Sequence, residues 1–182
     1  EVELHPQHRK VYQTRLQRER QKVLGLIDDM TANRFAVFRS LTLLRQLSLH
    51  VGLVDEDYAA LASAKIDALL AQLHEVAGGG HRALVFSQFT GFLGKVRERL
   101  EAEGMPYCYL DGSTRDRAAV VRRFKGGTAP VFLISLKAGG FGLNLAEADY
   151  CFLLDPWWNP ATEAQAVDRA HRIGQSRTVM VY

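Results

Sequence analysis

The chain has 182 residues, 47% of them hydrophobic and 24% charged, which fits a compact globular domain with an appendage and excludes a fibrous or disordered class. Lys and Arg number 23 against 20 Asp and Glu, so the formal charge of +3 is too small to establish a nucleic-acid partner by itself. No apolar run approaches the roughly 20 residues of a membrane span, and the opening EVELHPQHRK lacks a signal peptide's apolar segment, so a soluble, intracellular protein with no membrane partner is expected.

The first part of the chain, from residue 8 to about 77, reads as helices. Apolar residues recur at helical spacing in Val11, Leu16, Val23, Leu24 and Ile27, again in Phe35, Phe38, Leu41, Leu44 and Leu47, and again in Ile66, Leu69, Leu70 and Leu73. Positive charge gathers near the start, where Arg9, Lys10, Arg15, Arg18, Arg20 and Lys22 face one acid, Glu19. Such a run serves equally as a solvated helix face or as a phosphate-binding one. LVDED at 53–57 imitates a strand ending in magnesium-binding acids, but it lies between helices and is rejected. GGG at 78–80 stops the last helix.

The period then changes. RALVFS (82–87) is a short buried strand, FLGKVRERLEAEG (92–104) a helix closed by Gly104, and YCYL (107–110) a second strand. The Ser-x-x-acid pattern at 113–116 predicts a capped helix running to the glycines at 126 and 127. VFLIS (131–135), YCFLLD (150–155) and VMVY (179–182) are three more apolar strands. Alternating strands and helices imply an α/β fold whose parallel sheet is flanked by helices, with right-handed crossovers. Ligands gather at the carboxyl ends of such strands. Cys108 and Cys151 each sit in an apolar run without C-x-x-C spacing and read as buried thiols in a reducing compartment. The six histidines show no paired spacing, so no metal site is expected.

Two strand-end loops carry the candidate chemistry. SLKAGGFGLN (135–144) has three glycines in four positions, which let a backbone approach a ligand closely, with Lys137 beside them to meet a phosphate; tight packing accounts for the same glycines. In DPWWNPATEAQAVDRAHRIGQ (155–175), Gln165, Arg169 and Arg172 fall on one helical stripe. An ion pair between Asp168 and Arg172 would be worth about 0.3–0.5 kcal/mol. An arginine that neutralises a transferring phosphoryl group is worth roughly 10³–10⁵ in rate, or about 4–7 kcal/mol. Trp157 and Trp158 serve either as wedges against the sheet or as groups inserted beside a nucleic acid. The phosphate loop G-x-x-x-x-G-K-[ST] is absent, Gly94-Lys95-Val96 being a decoy without the hydroxyl residue.

RALVFSQFT, YLDGST, LISLKAGGFGLNL and DPWWNPATEAQAVDRAHRIGQ, in that order, resemble the motifs of the second RecA-like lobe of SWI/SNF-type DNA translocases of helicase superfamily two. The resemblance is strong from about Ser63 onward; the helical start (1–62) resembles the family's protrusion from this lobe, leaving 63–182 as the lobe itself. It implies an ATPase split across two lobes, with ATP and Mg²⁺ bound mainly by a first lobe of the same chain, which would carry the missing phosphate loop. It further implies that Arg169 and Arg172 are arginine fingers, with Gln165 a nearby polar partner and Gly140, Gly142 and Asn144 near the nucleotide. Ser87, Gln88, Gly112, Ser113, Lys137 and Trp158 would face the backbone of double-stranded DNA, and DNA-bound proteins would be further partners.

Two departures stand out: Val51 follows His50 where the family often has proline, and the chain stops at Tyr182 where members usually continue, so an excised lobe inactive alone is expected. Two other functions fit the same resemblance: a catalytically silent DNA-binding scaffold, and a strand-separating helicase lobe acting on RNA or DNA. The Ala-, Arg- and Leu-rich composition points to a prokaryotic, nucleoid-associated protein, with a nuclear location as the alternative.

Overall fold

The structure, a computed structural model, describes residues 2–26, 29–136, 144–156 and 178–182. They fall into two compact units, Glu1–Ala68 and Leu69–Tyr182.

The first unit holds a helical hairpin. Helix α1 (Pro6–Leu24) starts with proline, whose missing N–H costs nothing in a first turn. Helix α2 (Met30–Leu49) is capped by Asp29, whose carboxylate accepts the Ala32 N–H at 3.0 Å. The two run antiparallel: His8 Nε2 lies 2.5 Å from the Leu47 carbonyl near one end, and Asn33 donates to the Leu26 carbonyl at 3.3 Å near the other. His50 ends α2 in extended backbone and organises the connection to the next helix. Its Nδ1 accepts the Gly52 N–H at 2.9 Å, so Nε2 donates to the Leu61 carbonyl at 2.9 Å. Without the proline, the connection continues through single 3₁₀ turns at Val51–Leu53 and Glu56–Tyr58, so LVDED is not a strand.

Helix α3 (Ala64–Gly78) begins at Ser63, whose hydroxyl accepts the Ile66 N–H at 3.4 Å, and closes where the His81 N–H reaches back to the Val76 carbonyl at 2.9 Å. That closure needs a left-handed residue, and Gly80 supplies it at φ +75°.

The second unit is a parallel sheet in the order β2-β3-β1-β4-β5, formed by β1 (Ala83–Ser87), β2 (Tyr107–Leu110), β3 (Val131–Ser135), β4 (Tyr150–Leu153) and β5 (Met180–Val181). Every pairing between them is parallel. All five residues of β1 and of β3 are buried, because both faces of a parallel sheet are covered. On one face, Leu84 and Phe86 of β1 sit in register with Phe132 and Ile134 of β3, and Cys108, Leu110 and Cys151 extend the row. Helix α5 (Arg117–Lys125) closes that face through Phe124, whose ring centre lies 5.0 Å from that of Phe132. The opposite face carries Tyr109, Tyr150 and Phe152. Helix α4 (Thr90–Ala102) sets Arg97 over the Tyr109 ring at 5.4 Å, while α3 lines a cleft with Tyr150 and Phe152.

Strands and helices thus follow the sequence pattern closely, with one correction. The helix expected to be capped at Ser113 is capped by Asp116, whose carboxylate accepts the Ala119 N–H at 2.8 Å. Ser113 lies instead in the turn after β2, where its amide and its hydroxyl both donate to Asp111, and the helix begins only at Arg117.

Truncating the central aromatic, Phe132→Ala, should cost about 3–5 kcal/mol because the fully buried ring leaves a cavity that α5 and its neighbours only partly fill. Urea unfolding of the variant would show this as a lower midpoint with an unchanged slope.

Candidate functional site

Four strands deliver loops to one edge of the sheet. Leu110 pairs with Ile134, Ser87 with Ser135 and Phe86 with Leu153, so the segments after β2, β3, β1 and β4 leave at nearly the same height. This is the carboxyl edge, where a parallel sheet offers room for ligands.

The organising group is Asp155, two residues beyond β4 and only 3% exposed. A carboxylate at this depth is costly unless donors surround it. Its donors come from the end of β1. The Ser87 hydroxyl donates a short hydrogen bond to Oδ2, and the Gln88 N–H lies 3.3 Å from each carboxylate oxygen. The Gln88 side-chain amide then donates to the Pro156 carbonyl at 3.3 Å, and the Phe89 N–H donates to the Ser87 hydroxyl at 3.0 Å. Ser87 itself is fully buried, so its hydroxyl is spent on this clamp; the half-buried Gln88 is the side chain here that reaches solvent.

After β2 the chain turns at 111–114. Asp111 Oδ1 accepts the Ser113 N–H at 2.8 Å and the Ser113 hydroxyl at 2.6 Å, while its own N–H donates to Thr114 Oγ1 at 3.0 Å. The Tyr109 hydroxyl donates to Oδ2 at 3.1 Å. These donors, the Ser113 hydroxyl first among them, hold the Asp111 carboxyl below the ordinary aspartate range. Burial, followed by the Asp111 charge, pushes Tyr109 up to about 12. Gly112 and Ser113 are exposed at the tip of this turn, where a side chain at position 112 would meet open space.

The sheet edge therefore brings together Gln88, Gly112 and Ser113 of the expected DNA-facing residues, with Ser87 beneath them. Asn144 is exposed, just before the buried Leu145. Lys137, Gly140, Gly142, Trp158, Gln165, Arg169 and Arg172 lie outside the described residues. Sequence reasoning missed Asp111 and Asp155 as the groups that hold the two loops. The available signal was an acid closing an apolar strand, as in YCFLLD and YCYLD.

A family model for the helicase conserved C-terminal domain matches residues 64–174. The chain belongs to that family. Within it the chain is a second RecA-like lobe of the SWI/SNF type. It is 36% identical over 185 residues to an uncharacterized ATP-dependent helicase of Mycoplasma pneumoniae, covering 100% of this chain and 17% of that protein. It is 43% identical over 131 residues to the DNA repair protein RAD5A of Arabidopsis thaliana, covering 70% of this chain and 13% of the relative. With the helicase SWR1 of Debaryomyces hansenii it shares 38% identity over 140 residues, 75% of this chain and 9% of the other. The chain thus spans less than a fifth of the length of these curated relatives. The crystal structure of the C-terminal part of the Fun30 ATPase domain superposes with a TM-score of 0.80 at 25% identity, covering 99% of this chain and 81% of that one. These relatives include a bacterial, a plant and a yeast protein, so they lend no support to the prokaryotic expectation.

Two measurements check this geometry. Asp155→Ala strands the Ser87 hydroxyl and the Gln88 N–H and should cost about 1–3 kcal/mol. In a double-mutant cycle with Ser87→Ala, the two losses should be less than additive by about 0.5–3 kcal/mol. Asp111 titrates lower in the folded chain than in the unfolded one, so its contribution is complete above about pH 4 and fades as pH falls through the folded value. Asp111→Asn should accordingly flatten the fall of stability on the acid side of pH 4 in a pH series of denaturation curves.

Proposed function

We propose that this chain is the second lobe of an ATP-dependent motor on double-stranded DNA, which supplies arginine fingers for hydrolysis and part of the grip on the DNA backbone. The observation that carries the proposal is the Asp155 clamp. Asp155 opens the DPWWNP segment, and its carboxylate is fixed to the end of β1 through Ser87 and Gln88. A segment anchored in this way can transmit movement between a nucleotide at one of its ends and DNA at the other.

Arg169 and Arg172 are assigned to the γ-phosphate, where positive charge stabilises the transferring phosphoryl group. Gln165, Gly140, Gly142 and Asn144 are assigned to the nucleotide side of the interlobe cleft. Gln88, Gly112, Ser113, Lys137 and Trp158 are assigned to DNA backbone phosphates, with Ser87 beneath them fixing the Asp155 carboxylate that receives the Gln88 N–H. Residues 1–62 are assigned as the protrusion, and ATP with Mg²⁺ to the first lobe. Contacts to phosphates rather than base edges give binding that is weakly sequence-dependent and steeply salt-dependent. Support comes also from the relatives, one an ATP-dependent helicase and another a DNA repair protein by name.

In the full-length protein, Arg169→Ala and Arg172→Ala should each lower DNA-stimulated ATP turnover by roughly 10³-fold while duplex binding persists. Near-normal turnover would reject the fingers. Duplex DNA should stimulate more than single strands or RNA; stimulation led by RNA would favour a strand-separating helicase, and no turnover in the unmutated protein would favour a silent scaffold.

A further inference from the structure

The proposed motor leaves the basic run on α1 unexplained. Three of its six cations are neutralised within the first unit: Arg9 by Glu3 at 3.0 Å, Arg15 by Asp55 at 3.4 Å and Lys22 by Glu19 at 3.7 Å. Lys10, Arg18 and Arg20 have no acid partner among the described residues. Two of these three do not simply point outward at random. Lys10 and Arg18 line a cleft of about 410 Å³ between α1 and the 3₁₀ connection, together with Gln7, Thr14, Arg15 and Tyr58.

An unpaired charge in a concave wall is more effective than one on a convex surface, because the low-dielectric walls focus its field. The cleft's single acid, Asp55, is already engaged by Arg15. This leaves a surplus of two positive charges about 12 Å apart along the helix, given eight residues at 1.5 Å each. Gln7 and Tyr58 add neutral donors whose side chains make no other hydrogen bond among the described residues. Arginine, lysine, glutamine and tyrosine are the groups that contact phosphate and sugar in protein–DNA complexes.

We infer that this cleft is a second phosphate-binding surface, on the helical unit, which grips the backbone of duplex DNA through Lys10 and Arg18. The inference rests on the reading of the chain as part of a DNA motor. An acidic peptide fits less well, since peptide recognition depends on anchors seated in well-packed, desolvated pockets, and in this open, mostly polar cleft Val11 is the one aliphatic side chain and Tyr58 the one aromatic.

The test is the salt dependence of duplex DNA binding by the full-length protein, without nucleotide. Each phosphate contact contributes about 0.9 to the slope of log K against log salt, so Lys10→Ala/Arg18→Ala should lower the slope by roughly 2. Arg20→Ala removes one positive charge of the same helix outside the cleft and should leave the slope unchanged, where either Lys10→Ala or Arg18→Ala alone should lower it by about 0.9. Alanine is the best helix former, and the sites are exposed, so α1 should persist; circular dichroism checks this. If the unmutated protein binds duplex DNA and the double variant keeps its full slope, the cleft inference falls while the motor stands. An unmutated protein that fails to bind duplex DNA overturns both. If the double variant loses binding to polyglutamate and not to DNA, the cleft belongs to an acidic protein partner and the inference is overturned.

Discussion

Strand β4 is bracketed by two buried carboxylates, and both are satisfied by the same neighbouring strand. Asp149 precedes it and Asp155 follows it, each 3% exposed. Asp149 receives His81 Nδ1 at 2.6 Å and the Arg82 N–H at 3.2 Å at the start of β1, while Asp155 receives Ser87 and Gln88 at its end. A buried carboxylate stripped of donors is strongly destabilising. A slip of one residue between β1 and β4 would therefore unpair both acids at once, besides turning every inward side chain outward. The pair acts as a register lock on the two strands whose ends build the site.

That lock explains why the carboxyl edge can host a site without depending on loop rigidity. The backbone ladder continues past the strand ends, with the Leu136 N–H bonded to the Ser87 carbonyl and the Leu154 N–H to the Phe86 carbonyl, both at 3.0 Å. The exits of β1, β3 and β4 are thereby held at fixed spacing. The turn after β2 is held differently, by Asp111 folding back on its own neighbours, a local device that needs no distant partner.

The difference between those two devices also sets what could be read from the sequence. Apolar runs such as VFLIS announce buried strands, and glycine clusters announce helix ends, because both signals are local. The parallel sheet and its covering helices follow from alternation, whereas the strand order β2-β3-β1-β4-β5 has no such local signal. The Asp155 clamp is not legible, since its donors lie 67 and 68 residues away in the chain. Ser113 misleads for a different reason: its pattern matches a helix cap, but it sits in a turn where it donates to Asp111, two residues earlier, and the cap falls to Asp116. Ser87 reads as a group facing the DNA backbone, and a strand-terminal serine gives no sign of whether its hydroxyl turns inward. The arginine stripe at 165–172 and the glycine loop at 139–142 are legible only as patterns, and their function comes from resemblance.

At the opposite edge of the sheet, Arg82 joins the start of β1 to the end of α5. Its guanidinium donates to the Phe124 carbonyl at 3.0 Å, lies 5.7 Å from the Phe124 ring centre, and passes so close to Gly127 that a β-carbon there would meet it at 2.8 Å. Gly127 also holds a left-handed φ of +82°. None of the candidate site residues among those described lies on this side. The Arg82 fastening thus lies at the far end of the strands from the working groups, so a change there can alter thermal resilience without touching the residues that would meet a ligand, whereas the Asp155 clamp cannot be changed so freely.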